Sequence, residues 1–188
     1  MPMLKQELRQ RIRDIKRQYT PQQLVQLSFP VLERLKPLLC DANIVMAYYS
    51  LPDEVYTHDL LDELVEAGKM VLLPQVVDSE TMVLRRYSSK ADLREGALHI
   101  MEPVGEVFTD YQQIDVVLVP GIAFDAQGHR LGRGRGYYDR FFTQDSIPDR
   151  WSSTRSLSLF TKIGVCFDFQ KVPEVPTDAN DVPVDMVV

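Results

Sequence analysis

Residues 115–142 read DVVLVPGIAFDAQGHRLGRGRGYYDRFF, and this stretch decides which fold the chain can adopt. Its opening segment, 115–119, is apolar after the first aspartate and predicts a buried strand. A helix is predicted to begin near Tyr137, after a polar loop. Five of the nine glycines lie in that loop, at positions 121, 128, 132, 134 and 136. Because α/β folds bind ligands where a strand ends and a helix begins, the stretch predicts an α/β fold with a site here.

The chain before this stretch alternates between predicted helix and strand. Residues 43–49 and 70–74 are apolar without alternation, as in strands of a parallel sheet covered on both faces. Between them we predict a helix with Thr57 as its cap and Gly68 as its stop. Residues 88–113 show no clear pattern. Further strands are predicted at 82–87, 163–167 and 182–188, and residues 145–158 are interpreted as a surface connection.

The N-terminal segment predicts two helices. Leu4, Leu8, Ile12 and Ile15 recur at helical spacing and form an apolar stripe. A basic stripe, displaced by one position, consists of Lys5, Arg9, Arg13 and Lys16. Thr20 and Pro21 predict the start of a second helix, which Pro30 should kink or end.

Length and composition indicate one globular domain spanning residues 1–188. The chain is 45% hydrophobic and 26% charged, with a net charge of −6, which argues against disorder and against a general nucleic-acid partner. Cys40 and Cys166 are interpreted as buried thiols in a reducing compartment. No apolar run approaches the roughly 20 residues of a membrane span, and no signal segment is evident. We therefore expect a cytoplasmic protein with no membrane partner.

The loop is suited to binding an anion. Closely spaced glycines allow backbone N–H groups to approach a ligand, and the following helix contributes its positive end. Arg130, Arg133 and Arg135 add fork-shaped donors for phosphate or carboxylate. The loop matches neither the Walker A pattern nor Gly-x-Gly-x-x-Gly. A mobile surface loop and an Arg-Gly RNA-binding segment are the alternatives.

The run from Val119 to Phe142 resembles the signature of the 5-formyltetrahydrofolate cyclo-ligase family. Three more segments agree with that family's pattern in order and spacing: 5–9, 49–57 and 175–185. Asn180 and Tyr56 depart from the pattern, because many members carry histidine and an acidic residue at these places. The resemblance implies a single three-layer α/β domain with a mainly parallel central sheet, similar to the sugar-phosphate isomerase and CoA-transferase-like folds.

The family resemblance also implies an activity. Such an enzyme uses ATP as co-substrate and Mg²⁺ to convert 5-formyltetrahydrofolate to 5,10-methenyltetrahydrofolate, releasing ADP and phosphate. ATP phosphorylates the formyl oxygen, and N10 then closes the ring as phosphate leaves. We expect a monomer, with a dimer as the alternative. Another ATP- or phosphate-binding enzyme on the same fold, or an RNA-binding module, would be the competing functions.

The residues that match the family motifs receive roles by that resemblance. The expected ATP-binding residues are Lys5, Gln6, Glu7, Leu8, Arg9, Arg130, Leu131, Gly132, Arg133, Gly134, Arg135, Gly136, Tyr137 and Tyr138. Folate binding falls to Arg9, Tyr49, Glu54, Arg133, Gly134, Arg135, Gly136 and Tyr137. Arg133, Arg135 and Tyr137 are the expected catalytic residues, and Asp139 and Asp181 the expected Mg²⁺ ligands.

The residues alone leave simpler roles open. Asp139 would complement a helix dipole, Glu54 would be a loop carboxylate in water, and Tyr49 would be a core aromatic. Arg13 and Lys16 are interpreted as a solvated face of the first helix. His58, His99 and His129 have no ligand spacing and are expected to be non-catalytic.

Overall fold

The computed structural model describes residues 3–96, 101–144 and 160–188. The predictions for His99 and for residues 145–158 lie outside them. Within the described part the helices are α1 (Lys5–Lys16), α2 (Pro21–Leu35), α3 (His58–Glu66) and α4 (Tyr137–Thr143). The strands are β1 (Ile44–Met46), β2 (Met70–Val76), β3 (Met82–Tyr87), β4 (Leu93–Glu95), β5 (Met101–Pro103), β6 (Val107–Phe108), β7 (Val116–Pro120), β8 (Ala123–Phe124), β9 (Arg130–Leu131), β10 (Thr161–Val165) and β11 (Met186–Val187).

The central sheet has the strand order β11-β10-β7-β1-β2-β3-β6. The first five strands are parallel to one another, and β3 and β6 extend the sheet in antiparallel fashion. The prediction of one α/β domain with a mainly parallel sheet is therefore confirmed. Strands β4–β5 and β8–β9 form two small antiparallel pairs beside it. The likeness to the sugar-phosphate isomerase and CoA-transferase-like folds stays a prediction.

Strand β7 contributes to two separate cores, because successive side chains of a strand point to opposite faces. Val116 and Leu118 pack on the side of α2 and α3, whereas Val117 and Val119 pack on the side of α4. Helices thus cover both faces of the sheet, which explains why this strand is apolar at every position.

The last predicted strand is shorter than its sequence pattern suggested. Residues 182–188 were expected to be extended in the sheet, but only Met186–Val187 pair with β10. The Val184 N–H instead donates to the Gly128 carbonyl at 2.9 Å. This segment therefore leaves the sheet to support the glycine-rich loop. Strands β1 and β10 also differ from their predicted bounds by a few residues.

Two expectations about helix boundaries are met only in part. Of the two outcomes predicted for Pro30, a kink or an end, the end does not occur, because α2 continues to Leu35 with Val31, Leu32 and Leu35 buried in the core; the kink stays a prediction. This burial offsets the one backbone hydrogen bond that a proline removes. Thr57 occupies the N-cap position of α3, as predicted, but its side chain makes no capping hydrogen bond to the helix, since its hydroxyl donates to the Tyr48 carbonyl at 2.6 Å.

The end of α3 agrees with its prediction, whereas the cysteines agree with theirs only in part. Gly68 follows the end of α3 as predicted, with its N–H donating to the Val65 carbonyl at 2.9 Å. Both cysteines are free, but only Cys166 is buried, and Cys40 is exposed because it lies at the end of a short helical turn facing solvent. None of the helices in the described ranges has the length and apolar character needed to cross a bilayer.

A candidate anion-binding cleft at the end of strand β7

The base of the glycine-rich loop is formed by the β8–β9 pair, which follows β7 directly. Phe124 in β8 is fully buried, and its ring lies where Gly121 and Gly164 leave room. A Cβ atom at Gly121 or Gly164 would come within 2.6 or 2.5 Å of that ring. Gly121 therefore serves packing at the base of the loop, where a side chain would clash with Phe124.

Asp125 orders the turn between β8 and β9. Its Oδ1 accepts hydrogen bonds from the N–H groups of Gln127 and His129, each at 3.0 Å. Its Oδ2 accepts from the Val175 N–H at 2.9 Å and lies 3.0 Å from His129 Nδ1. Burial favours a raised pKa for this carboxyl, but the Val175 and His129 hydrogen bonds outweigh it and lower the pKa. Sequence reasoning missed this residue, although an aspartate three positions before a glycine is a turn signal.

Asp125→Asn is expected to destabilise the protein at neutral pH and to remove part of its acid sensitivity. A carboxyl whose folded pKa is lowered stabilises the fold above its unfolded value, 3.8, and this stabilisation is lost as pH falls. The difference in free energy of unfolding between wild type and variant should be about 2 kcal/mol at pH 7 and shrink below pH 4. Denaturant titrations at several pH values measure it. His129→Ala is the control for the share of the imidazole, and a difference independent of pH would contradict the assignment.

A cleft of about 1010 Å³ opens above this base. It joins segments that are far apart in the sequence: α1, the 130–140 loop and helix start, and residues 178–182. The predicted site residues that line it are Lys5, Arg9, Glu54, Arg130, Leu131, Gly132, Arg133, Gly134, Arg135, Gly136, Tyr137, Tyr138, Asp139 and Asp181. Pro74, Val76 and Met82 add an apolar wall.

Apart from Arg140, which donates to three backbone carbonyls, two cationic side chains of the cleft have no carboxylate partner among the described residues. Arg9 donates through Nε to the Gly132 carbonyl at 2.9 Å and so reaches the loop from α1. Arg135 is exposed, and no hydrogen bond or ion pair of its guanidinium occurs within the part of the chain described. These guanidinium groups are available to an anion.

Arg133 is held by the acidic loop, which is the segment after β1 that carries Asp53 and Glu54. Its Nη2 donates to Asp53 Oδ1 at 2.6 Å and to Glu54 Oε1 at 2.9 Å, and its Nε donates to Glu54 Oε1 at 3.1 Å. The same acidic loop is fixed from below by Lys16, whose Nζ donates to the Asp53 carbonyl at 2.5 Å. The Arg133 guanidinium is therefore bound by two carboxylates of the protein itself.

The burial of Lys16 corrects a sequence-based expectation. Arg13 is exposed as expected, but the Lys16 side chain is only 6% exposed, with Nζ 3.2 Å from Asp53 Oδ2. Burial lowers the pKa of Lys16 and outweighs the opposing effect of Asp53. The interpretation of Lys16 as part of a solvated face is wrong, because the acidic loop folds over the end of α1.

The two candidate metal ligands both face the cleft and both have protein partners. Asp139 accepts hydrogen bonds from Arg130 Nη2 at 2.9 Å on each oxygen, and from the Val182 N–H at 3.2 Å. Asp181 accepts from Lys5 Nζ and from the Asp178 N–H, the latter at 2.7 Å. The Val182 contact brings the residue after Asp181 against Asp139.

The chemistry of these donors suits Mg²⁺. The described residues contain no group of three or more His, Cys, Asp or Glu side chains placed to hold a metal. Mg²⁺ does not require such a cage, because it commonly binds one or two carboxylates together with phosphate oxygens and water. Asp139 and Asp181 therefore fit an ion that arrives with a phosphate ligand.

Other predicted residues lie outside the cleft. Leu8 is 2% exposed and packs in a small core with Leu131 and Val175. Glu7 accepts a hydrogen bond from the Leu4 N–H at 2.9 Å, which stabilises the start of α1, and Gln6 is exposed. Only every fourth residue of α1 reaches the cleft, so Lys5 and Arg9 face it while their neighbours serve the helix and the core.

Tyr49 lies in an aromatic cluster rather than in the cleft. Its ring stacks on His58 with centroids 3.6 Å apart, and Tyr56 packs against the same imidazole at 4.5 Å. His58 Nε2 lies 3.0 Å from the Ser50 carbonyl. Asn180, the other departure from the family pattern, lines the cleft beside Asp181.

This arrangement defines the class of protein: an α/β fold whose parallel strands carry an arginine- and carboxylate-lined cleft at the end of strand β7. The chain belongs to the 5-formyltetrahydrofolate cyclo-ligase family, whose model matches residues 3–188. The resemblance predicted from the sequence is thereby confirmed.

Individual relatives support the same assignment. The chain is 29% identical to the 5-formyltetrahydrofolate cyclo-ligase of Escherichia coli K12, over 94% of this chain and 95% of that protein. It is 32% identical to a probable 5-formyltetrahydrofolate cyclo-ligase of Schizosaccharomyces pombe, over 77% of this chain and 73% of that protein. Among solved structures, the 5,10-methenyltetrahydrofolate synthetase of Aquifex aeolicus is 36% identical, with a TM-score of 0.78 over 98% of this chain and 89% of that one.

Proposed function

We propose that this protein converts 5-formyltetrahydrofolate to 5,10-methenyltetrahydrofolate at the expense of ATP, with release of ADP and phosphate. The observation that carries the proposal is one cleft, formed where α1, the arginine-glycine loop (residues 130–136) and the carboxylates of Asp139 and Asp181 meet. The chain that forms this cleft belongs to the cyclo-ligase family. Relatives that align over nearly their whole length bear the name of this enzyme.

The triphosphate is assigned to the cationic side of the cleft. Arg9 and Arg135 offer guanidinium groups without a carboxylate partner in the described residues, and the loop from 132 to 136 offers backbone N–H groups close to them. Lys5 and Arg130 would contribute charge from positions already paired with Asp181 and Asp139. Fixed donors of this kind stabilise transferring phosphoryl charge without reorganisation during the reaction.

The folate is assigned to the side of the cleft where Glu54 and Arg133 meet. Glu54 is nearly buried, and a carboxylate there would accept hydrogen bonds from pterin amino and ring N–H groups. Arg133 would then exchange its carboxylate partners for phosphoryl oxygens. Tyr49 would contact a part of the substrate that extends beyond the cleft, over the aromatic cluster with His58.

The reaction follows from the poor leaving ability of an amide-like oxygen. Transfer of the γ-phosphoryl group to the formyl oxygen converts that oxygen into a phosphate, which leaves when N10 attacks the formyl carbon and loses its proton. The proposed catalytic residues are Arg133, Arg135 and Tyr137, because they line the cleft where the arginine-glycine loop lies next to the acidic loop with Glu54. Asp139 and Asp181 would hold Mg²⁺, which supplies neutralisation of phosphate charge when bound.

The proposed function is tested by a turnover assay on the purified protein. The conjugated methenyl product absorbs in the near-ultraviolet at mildly acidic pH, where the substrate does not, and ADP is quantified in parallel. Equal amounts of methenyl product and ADP, dependent on both ATP and Mg²⁺, are expected. ATP consumption without methenyl product would instead favour a different ATP-dependent enzyme on this fold.

An RNA-binding role is not favoured. Arg130 and Arg133 in the arginine-glycine loop are engaged with Asp139, Asp53 and Glu54, so the loop is ordered rather than a free cationic tail. We propose a monomer that acts in the cytoplasm on folate and ATP, without nucleic acid or membrane. The unpaired state of both cysteines supports the reducing compartment.

A further inference from the structure

The β2–β3 hairpin forms one wall of the cleft. Its strands pair from Val71–Tyr87 up to Val76–Met82, and the side chains of Val76 and Met82 line the cleft. Asp78 orders the tip, because its Oδ1 accepts hydrogen bonds from the N–H groups of Glu80 and Thr81 at 2.8 and 2.7 Å. The tip is therefore a defined turn that presents backbone carbonyls to its neighbours.

Arg140 on α4 binds this hairpin tip and the arginine-glycine loop at the same time. Its Nε donates to the Glu80 carbonyl at 3.0 Å, and its Nη2 donates to the carbonyls of Ser79 at 3.2 Å and Arg135 at 2.8 Å. Three of the five guanidinium N–H groups are thus committed to backbone carbonyls in two different segments. Such a side chain acts as a clamp between them.

Tyr137 and Gly136 complete the clamp. The Tyr137 hydroxyl donates to the Asp78 carbonyl at 3.1 Å, and the Arg140 guanidinium lies over the Tyr137 ring at 5.2 Å. Gly136 has a positive φ of 69°, and a Cβ atom there would lie 2.9 Å from Arg140 Nη1. The glycine therefore leaves the space that the guanidinium needs to pass from α4 to the loop.

We propose that Arg140 is a positioning residue that fixes the hairpin tip to the arginine-glycine loop. The loop thereby adopts its phosphate-binding conformation in the free protein. No role was predicted for it from the sequence. Arg135 has a free guanidinium in the described residues, whereas the carbonyl of the same residue is held by Arg140. Fixing that carbonyl orients the loop backbone on which the binding of ATP depends, and in this respect the inference rests on the proposed function.

The first experiment needs no ligand and no activity. Hydrogen exchange of the free protein is compared between wild type, Arg140→Ala and Arg140→Lys. In Arg140→Ala, amide exchange should rise about tenfold both in the tip (77–81) and in the loop (132–137), a loss equivalent to about one charge-assisted hydrogen bond. A residue that only contacts bound phosphate would leave exchange in the free protein unchanged, and that result would overturn the proposal.

Arg85→Ala is the matched control. Arg85 belongs to the same hairpin but donates to Gln75 Oε1 at 2.6 Å and to the Gly105 carbonyl at 2.8 Å, away from the loop. Its loss should leave exchange at 132–137 unchanged. If Arg85→Ala increases exchange in the loop as much as Arg140→Ala does, the effect is general loosening and the clamp is rejected.

Kinetics then separate positioning from chemistry. Arg140→Ala should raise KM for ATP about tenfold, with a smaller fall in kcat because the loosened loop also carries Arg133, Arg135 and Tyr137. Arg140→Lys, which retains a charge but not the fork, should fall between. A lowered kcat at unchanged KM would contradict positioning. If the wild type shows no turnover, only the proposed function is refuted, because the hydrogen-exchange comparison tests the role of Arg140 independently of activity. Should Arg140→Ala not fold, the same comparison is made with Arg140→Lys, for which unchanged loop exchange and KM overturn the proposal.

Discussion

Replacing Arg133 with alanine is expected to lower kcat of the cyclo-ligase reaction at least about 100-fold. The residue lies in the cleft between the loop and the acidic loop, where transferring phosphoryl charge would develop, and loss of one such preorganised donor typically costs 10²–10³ in rate. The free energy of unfolding should fall by about 2 kcal/mol, because Arg133 and Asp53 are about 40% exposed but the other partner, Glu54, is only 10% exposed and would lose its counter-charge. Steady-state kinetics and thermal unfolding measure the two effects.

Two further variants sharpen the Arg133 result. Arg133→Lys keeps the charge but loses the planar fork that contacts both carboxylates, so an intermediate rate is expected. Arg13→Ala removes an exposed arginine of α1 outside the cleft and should retain wild-type kcat. An unchanged kcat in Arg133→Ala would restrict that guanidinium to its ion pairs with Asp53 and Glu54.

The inner strands of the sheet were predictable because they bury both faces. Val116–Val119 are apolar at every position, and this continuous pattern separates a covered parallel strand from a half-exposed one. The segment 182–188 shows the limit of that reasoning. Val184 is apolar and buried, but its N–H donates to the Gly128 carbonyl in the loop. Amino-acid composition does not indicate which backbone carbonyl accepts that hydrogen bond.

The candidate site was predictable only in part, because its electrostatic pairs join distant segments. The motif resemblance identified Lys5, Asp139 and Asp181 individually, but nothing local indicates that Lys5 meets Asp181 across most of the chain. In the sequence, Lys16 cannot be distinguished from a surface lysine, whereas in the structure the acidic loop covers it. Charge pairs between remote segments depend on how the elements pack, and periodicity carries no information about that packing.

The contacts of Arg140 illustrate a second limit. Its partners are the backbone carbonyls of Ser79, Glu80 and Arg135, and every residue type supplies a carbonyl. A sequence pattern can indicate a carboxylate partner for an arginine, but it has no signal for a backbone partner. The positioning of the hairpin tip could therefore be recognised only from the folded chain.

Asp139→Asn is expected to impair the protein in two separable ways. The Mg²⁺ concentration for half-maximal turnover should rise at least about tenfold, since a neutral amide is a poorer ligand for this hard cation. The free energy of unfolding should also fall by about 3 kcal/mol. The Arg130 side chain is 5% exposed, and its Nη2 lies 2.9 Å from both Asp139 oxygens, so the variant leaves a buried guanidinium without its counter-charge.

The stability effect distinguishes Asp139 from an ordinary first-turn aspartate, whose loss at an exposed helix start would cost at most about 1 kcal/mol. Asp181→Asn should raise the Mg²⁺ requirement with a smaller loss of stability, because its partner Lys5 is 25% exposed and keeps Asp178. Asp178→Asn, which removes the other partner of Lys5, is the control and should leave the Mg²⁺ requirement unchanged. If Asp139→Asn lowers stability but not Mg²⁺ dependence, Asp139 serves only to neutralise Arg130, and the metal must rely on Asp181 and the phosphates.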